Sequence, residues 1–126
     1  MKLATSIEFI KNLVQYDYNN HYYDFHNDYS CEKISYSDSI LLIVFKSLID
    51  GLFLSLKFTE VKITTVDFFN VKEIEGLTLD NFYRGRVELN GELIEVSENG
   101  RGYFYLEFYE GQKMEFWAKD IGIEQE

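Results

Sequence analysis

The stretch from Phe82 to Lys119 reads FYRGRVELNGELIEVSENGRGYFYLEFYEGQKMEFWAK. It divides into four alternating arms separated by Asn90-Gly91, Asn99-Gly100 and Glu110-Gly111. Side chains alternate faces along a strand, so a buried face must take every second residue. In the first arm Tyr83, Val87 and Leu89 form the apolar set, while Arg84, Arg86 and Glu88 point the other way. A two-residue turn at Asn90-Gly91 pairs Leu89 with Glu92, Val87 with Ile94 and Gly85 with Val96, and sets Arg86 opposite Glu95. Asn-Gly suits a type I′ turn because both central residues need positive φ.

One continuous core face then constrains the other two turns. Phe104, Leu106 and Phe108 are the apolar set of the third arm, and Met114, Phe116 and Ala118 that of the fourth. Placing Ile94 over Leu106, and Leu106 over Phe116, requires three-residue loops at Asn99-Gly100-Arg101 and Glu110-Gly111-Gln112. A slip of one residue would turn every large apolar side chain to solvent. The same register exposes Tyr103, Tyr105, Glu107 and Tyr109 on one arm, and Lys113, Glu115 and Trp117 on the next. It puts Tyr105 opposite Trp117, Glu107 opposite Glu115 and Tyr109 opposite Lys113. Two like charges opposed within an aromatic frame would welcome an Arg or Lys from a partner. A second core layer covering this face is the competing reading. Paired carboxylates also serve glycosidases, but a flat face offers no cleft for that chemistry.

The N-terminal residues carry a helical signal. Thr5 and Glu8 have capping-box spacing, and Ile7, Ile10, Leu13 and Val14 recur at helical intervals, which predicts a helix from Thr5 to about Tyr16. From Asp17 to Tyr29 the pattern is irregular, and His21, Asp24, His26 and Asp28 could supply metal ligands or an acid/base pair. Their spacing fits no closed metal motif, so a hydrogen-bonded loop or edge strand is preferred and no cofactor is expected.

Further strands follow over Cys31–Tyr36 and Ile40–Lys46, the second apolar on both faces as a central strand should be. A two-residue turn at Asp50-Gly51 pairs Phe45 with Leu56 and Ile43 with Phe58, and adds Leu52 and Leu54 to the buried face. Val61–Phe69 continues as a strand with a phase slip near Val66-Asp67, consistent with a bulge, and Asn70–Asn81 is ambiguous. The expected fold is α+β in a single domain over residues 1–126: an N-terminal helix packed on a curved, largely antiparallel sheet, either a meander or a partly open barrel.

The chain of 126 residues has a net charge of −10, with ten Tyr and eleven Phe. That field repels nucleic acid and anionic membranes and speeds encounter with a basic partner. Cys31 is the only cysteine, which excludes an internal disulfide and points to a reducing, cytoplasmic setting. The run Ile40–Phe45 is too short to span a membrane as a helix. Edge strands of an unclosed sheet could pair across a dimer.

Two short segments carry a family likeness: Phe25-His26-Asn27-Asp28, and Leu54-Ser55-Leu56-Lys57-Phe58-Thr59-Glu60-Val61. A small acidic chain with a helix, a His-Asp element and a run of antiparallel strands carrying Leu-x-Leu-x-Phe-x-x-Val resembles immunity proteins of bacterial polymorphic-toxin systems. Here Asn27 separates the His and Asp. The resemblance implies a non-enzymatic inhibitor that plugs or masks a toxin domain. The alternative is a small-ligand-binding module with an aromatic cavity between helix and sheet.

Overall fold

The computed structural model describes residues 2–4, 15–18, 21–68, 76–95 and 97–125. Its strands are β1 (Lys2–Ala4), β2 (Gln15–Tyr18), β3 (His21–Asp24), β4 (Tyr29–Ser37), β5 (Ile40–Ser47), β6 (Phe53–Thr59) and β7 (Lys62–Asp67). They continue with β8 (Leu79–Arg84), β9 (Arg86–Leu89), β10 (Glu92–Glu95), β11 (Ser97–Glu98), β12 (Arg101–Phe108), β13 (Lys113–Ala118) and β14 (Asp120–Gln125). There is no helix among the described residues, so the architecture is all-β and the α+β expectation is wrong. Gln15 and Tyr16, expected at the end of a helix, belong to β2 and pair with Asp24 and Tyr23. Tyrosine-rich alternation and a partner strand outweigh the helical period there. The rest of the expected helix, residues 5–14, lies outside the described residues.

Two antiparallel sheets form the body. One has the order β1-β14-β6-β5-β4; the other has β11-β12-β13-β7, with β8 also paired to β12. Two bent ladders join them, because β6 runs through Glu60 into β7 and β13 runs through Lys119 into β14. At that corner Lys119 N–H donates to the Thr59 carbonyl at 2.9 Å. Glu60 takes a left-handed φ of 50° to make the bend. On the far side Cys31 and Leu77 exchange both backbone hydrogen bonds, at 2.7 and 3.1 Å. The pairing therefore closes around β4, β5, β6, β14 with β13, β12, β8 and back to β4.

The interior is built from the residues that alternation selects. Leu41, Ile43 and Phe45 of β5, Leu54, Leu56 and Phe58 of β6, and Phe104, Leu106, Phe108, Met114, Phe116 and Ala118 of β12 and β13 are all buried. Phe58 is the hub between the sheets. Its ring centroid lies 4.8 Å from Phe116, 5.7 Å from Phe82 and 6.0 Å from Phe104. Such edge-on and tilted pairs add about 0.5–1.5 kcal/mol each beyond the area they bury.

The turns differ from the sequence reading in instructive ways. The β9–β10 hairpin has the expected register, with Leu89 opposite Glu92 and Arg86 opposite Glu95. The next turn is shorter than expected: Glu98 pairs with Arg101, leaving a two-residue Asn99-Gly100 turn with φ of 53° and 75°. The chain can afford that parity because β9 and β10 form their own two-stranded ribbon, outside the sheet that holds β12. Among the described residues β10 pairs with β9 and has no ladder to β12, so the expected Ile94–Leu106 pair is not formed. Between β12 and β13 the loop is three residues long, but it is Tyr109-Glu110-Gly111, with Phe108 N–H donating to the Gln112 carbonyl at 2.8 Å. Leu106 accordingly faces Met114, and Phe104 faces Phe116. Between β5 and β6 the loop takes four residues, Leu48 to Gly51, and Phe45 faces Leu54 rather than Leu56. Both slips are of two residues, which preserves every face. The bulge in β7 is real but sits at Thr64, between the Glu115–Thr65 and Phe116–Ile63 pairs.

Candidate functional site

The outward face of β12, β13 and β7 carries the aromatic and charged side chains singled out above. Register decides what they do. Tyr103 is opposite Trp117, Tyr105 opposite Glu115, and Glu107 opposite Lys113. The expected Glu107–Glu115 pair is therefore absent, and each glutamate instead faces a residue that tolerates it. Tyr103 Oη donates to Glu115 Oε1 at 2.8 Å, and the Thr64 hydroxyl lies 3.1 Å from both Tyr103 Oη and the Glu115 carbonyl. The bulge at Thr64 is what brings its hydroxyl within reach. The Tyr103 and Trp117 rings meet edge to face at 4.9 Å. Burial pushes the Tyr103 phenol up from 10.0; the hydrogen bond with Thr64 pulls it back in part, and the hydrogen bond and charge of Glu115 push it up again.

This half-buried cluster is a brace within the sheet. The exposed part of the face is Tyr105, 37% exposed, with Glu107 and Lys113 beside it and Tyr109, 76% exposed, on the loop. A shallow depression of about 200 Å³ lies between Tyr105, Glu107, Lys113 and Glu115. A smaller one of about 70 Å³ lies between Lys62, Glu98, Asn99, Arg101 and Trp117. Cations and carboxylates are thus interleaved, and the face is not uniformly acidic.

Of the histidine–aspartate set, His21 stands in β3 with Tyr18 as its strand partner. Asp24 is buried and organises the turn that follows. Its Oδ1 accepts the backbone N–H groups of His26 and Asn27 at 3.2 and 3.0 Å, and its Oδ2 accepts from the Asn27 amide at 2.9 Å. Asp-led turns of this kind satisfy donors that a strand end leaves open. His26 Nδ1–H donates to the Leu79 carbonyl at 2.8 Å, with Asp80 Oδ1 farther off at 3.9 Å. Asp28 N–H closes the turn onto the Asp24 carbonyl at 2.9 Å. Asp24, His26 and Asp28 thus belong to one hydrogen-bonded turn. Among the described residues no group of three His, Cys, Asp or Glu side chains is arranged to hold a metal ion.

Sequence reading missed a second surface feature. The β5–β6 loop and the start of the strand that follows it present Leu48, Ile49, Leu52 and Phe53, which are 65%, 81%, 62% and 41% exposed. Leu52 had been expected in the core. The signal was visible as two apolar residues on each side of Asp50-Gly51, a run without alternation that no single sheet face can absorb.

Compared with known proteins, the chain matches no family model and no curated protein. Among the described residues no helix is long and apolar enough to cross a membrane.

Proposed function

We propose that this chain is a non-enzymatic acidic binding protein that masks a basic protein partner, in the manner of an immunity protein and its toxin. The observation that carries the reading is the exposed strip Tyr105, Glu107 and Tyr109, presented from β12 and its loop. Tyrosine buries ring area while keeping a hydrogen bond, so such residues suit the centre of an interface. The rigid backing of Phe104, Leu106 and Phe108 on the opposite face means little ordering is needed on binding. A net charge of −10 adds long-range attraction for a cationic partner.

The small-ligand reading is less well supported. It needs an aromatic cavity between helix and sheet, whereas Phe58, Phe82, Phe104 and Phe116 pack on one another between the two sheets.

The test is binding to the protein encoded beside this chain's gene, measured by calorimetry for the native chain and a Tyr105→Ala/Glu107→Lys variant. A complex with the native chain, weakened about tenfold or more in the variant at unchanged Tm, is expected. No complex, or equal affinity for both chains, would overturn the reading.

A further inference from the structure

The β5–β6 loop holds its apolar side chains outward on a well-fixed backbone. Ser47 N–H donates to the Leu52 carbonyl at 2.8 Å, and Gly51 N–H returns to the Ser47 carbonyl at 3.0 Å. The Ser47 hydroxyl accepts from Ile49 N–H at 3.2 Å, and Asp50 Oδ1 accepts from Leu52 N–H at 2.9 Å. Leu48 N–H donates to the Asp28 carbonyl at 2.9 Å, which ties the loop to the Asp24 turn. Gly51 supplies the left-handed residue, φ 74°, that a four-residue hairpin loop of this kind requires. Preorganised apolar groups bind with less entropic loss than groups on a loose loop.

The same end of the barrel carries Tyr109. Tyr109 N–H donates to the Thr78 carbonyl, Leu77 pairs with Cys31, and Tyr29, two residues before Cys31, pairs with Ser47. The apolar loop and the exposed tyrosine therefore belong to one rim.

We propose that Leu48, Ile49, Leu52 and Phe53 form a knob that inserts into an apolar cleft of a protein partner whose rim is basic. This rests on the binding-protein reading above and adds a second contact to it. The four side chains offer on the order of 400 Å² of apolar surface, at the level where patches on monomers are often functional. A lasting two-fold dimer needs roughly 800 Å² from each copy, so the loop alone is too small for self-association and fits a concave partner better. Charge selects the partner class. Asp50 sits at the tip and Asp28 at its base, beside the ammonium of Lys46, which lies over Phe53 at 6.0 Å from the ring centroid. A carboxylate in the middle of the tip disfavours burial in lipid, and the chain's charge repels anionic bilayers.

The experiment places a photocrosslinking benzoylphenylalanine at Ile49 in the full chain. That chain is irradiated alone, with vesicles of equal phosphatidylcholine and phosphatidylserine, and with the protein encoded beside its gene. Alongside, Kd for that protein is measured with native chain, with Ile49→Ser/Leu52→Ser, and with Asp50→Asn, which keeps the acceptor for Leu52 N–H. The expected results are a crosslink to that protein, a rise in Kd of about tenfold or more for the double variant, and a slower on-rate for Asp50→Asn at low salt. A crosslink between two copies, or to vesicle lipid, would overturn the proposal in favour of self-association or membrane contact. Full affinity in the double variant with no crosslink at Ile49 would overturn the knob while leaving the binding reading intact. Failure of the native chain to bind would overturn both.

Discussion

Tyr103 donates its hydroxyl to Glu115 at 2.8 Å across a diagonal of the sheet, although neither is the other's direct strand partner. The contact exists because Tyr103 faces Trp117 and Tyr105 faces Glu115, so the two residues stand two positions apart on one outward face. Removing the hydroxyl in Tyr103→Phe leaves a half-buried carboxylate short of a donor. A loss of about 1–2 kcal/mol in urea unfolding is expected. Replacing Glu115 by Gln removes the carboxylate that pushes the Tyr103 phenol up, so a spectrophotometric titration should find that phenol ionising at lower pH than in the native chain. An unchanged Tyr103 titration would refute the pairing.

Gly85 depends on the same tyrosine. A Cβ built on it would sit 3.0 Å from Tyr103 Cδ1 and 3.3 Å from Tyr103 Cβ, closer than side chains normally approach. Gly85→Ala should therefore cost about 1–3 kcal/mol by forcing the ring aside. In a Tyr103→Ser background the cost should shrink, because the nearest clashing atom is gone. Additive losses in that double-mutant cycle would show that the glycine is needed for another reason.

Alkaline pH should unfold the protein, and the direction follows from Cys31. Burial pushes its thiol up from 9.0 to about 12, with smaller effects from Glu32 and Glu110 in the same direction and from Lys33 in the other. The native state thus holds this proton more tightly than the unfolded chain. The associated stability is intact below about pH 9 and is lost as pH rises toward 12, on the order of 4 kcal/mol at the upper end. Tyr23, Tyr29 and Tyr103, each raised from 10.0 chiefly by burial, act with the same sign. The urea midpoint should be level from neutral pH to about 9 and then fall. Cys31→Ala should lower stability at neutral pH but flatten the early part of that fall. A midpoint that is level through pH 11 would contradict the burial of all four groups.

The Asp24 turn offers a fourth structural test. Asp24→Ala would leave the His26 and Asn27 amides without their acceptor, for a loss of about 2–3 kcal/mol. Asn at the same place keeps one acceptor and should cost less. If added zinc or calcium raised Tm in the native chain but not in Asp24→Asn, the turn would be a metal site after all.

Much of the architecture could be read from residues alone, because alternation survives an error of two in register. Phe104, Leu106, Phe108, Met114 and Phe116 are buried as expected even though their strand partners are shifted. What alternation cannot supply is loop length. The turn at Asp50-Gly51 drew in Leu48 and Ile49, and the last hairpin closed on Tyr109 rather than on Gln112. Both changes arose from backbone bonding inside the loops. The candidate site suffered most from this. A shift of two exchanged an opposed Glu107–Glu115 pair for Glu107–Lys113, and so removed the cation seat. The exposed loop was missed for a related reason: leucine and isoleucine next to a strand are read as core by default, although the unalternating run across Asp50-Gly51 already fits no single face, and Leu52 does stand outside the core.

The central claim concerns a basic partner drawn to an acidic protein. The most direct measurement is the association rate with the protein encoded beside this gene, taken from about 20 mM to about 500 mM salt, over which screening becomes nearly complete. Electrostatic steering predicts a fall of about tenfold or more in the association rate, with the dissociation rate little changed. A rate that stays level across that range, or the absence of any complex, would contradict it.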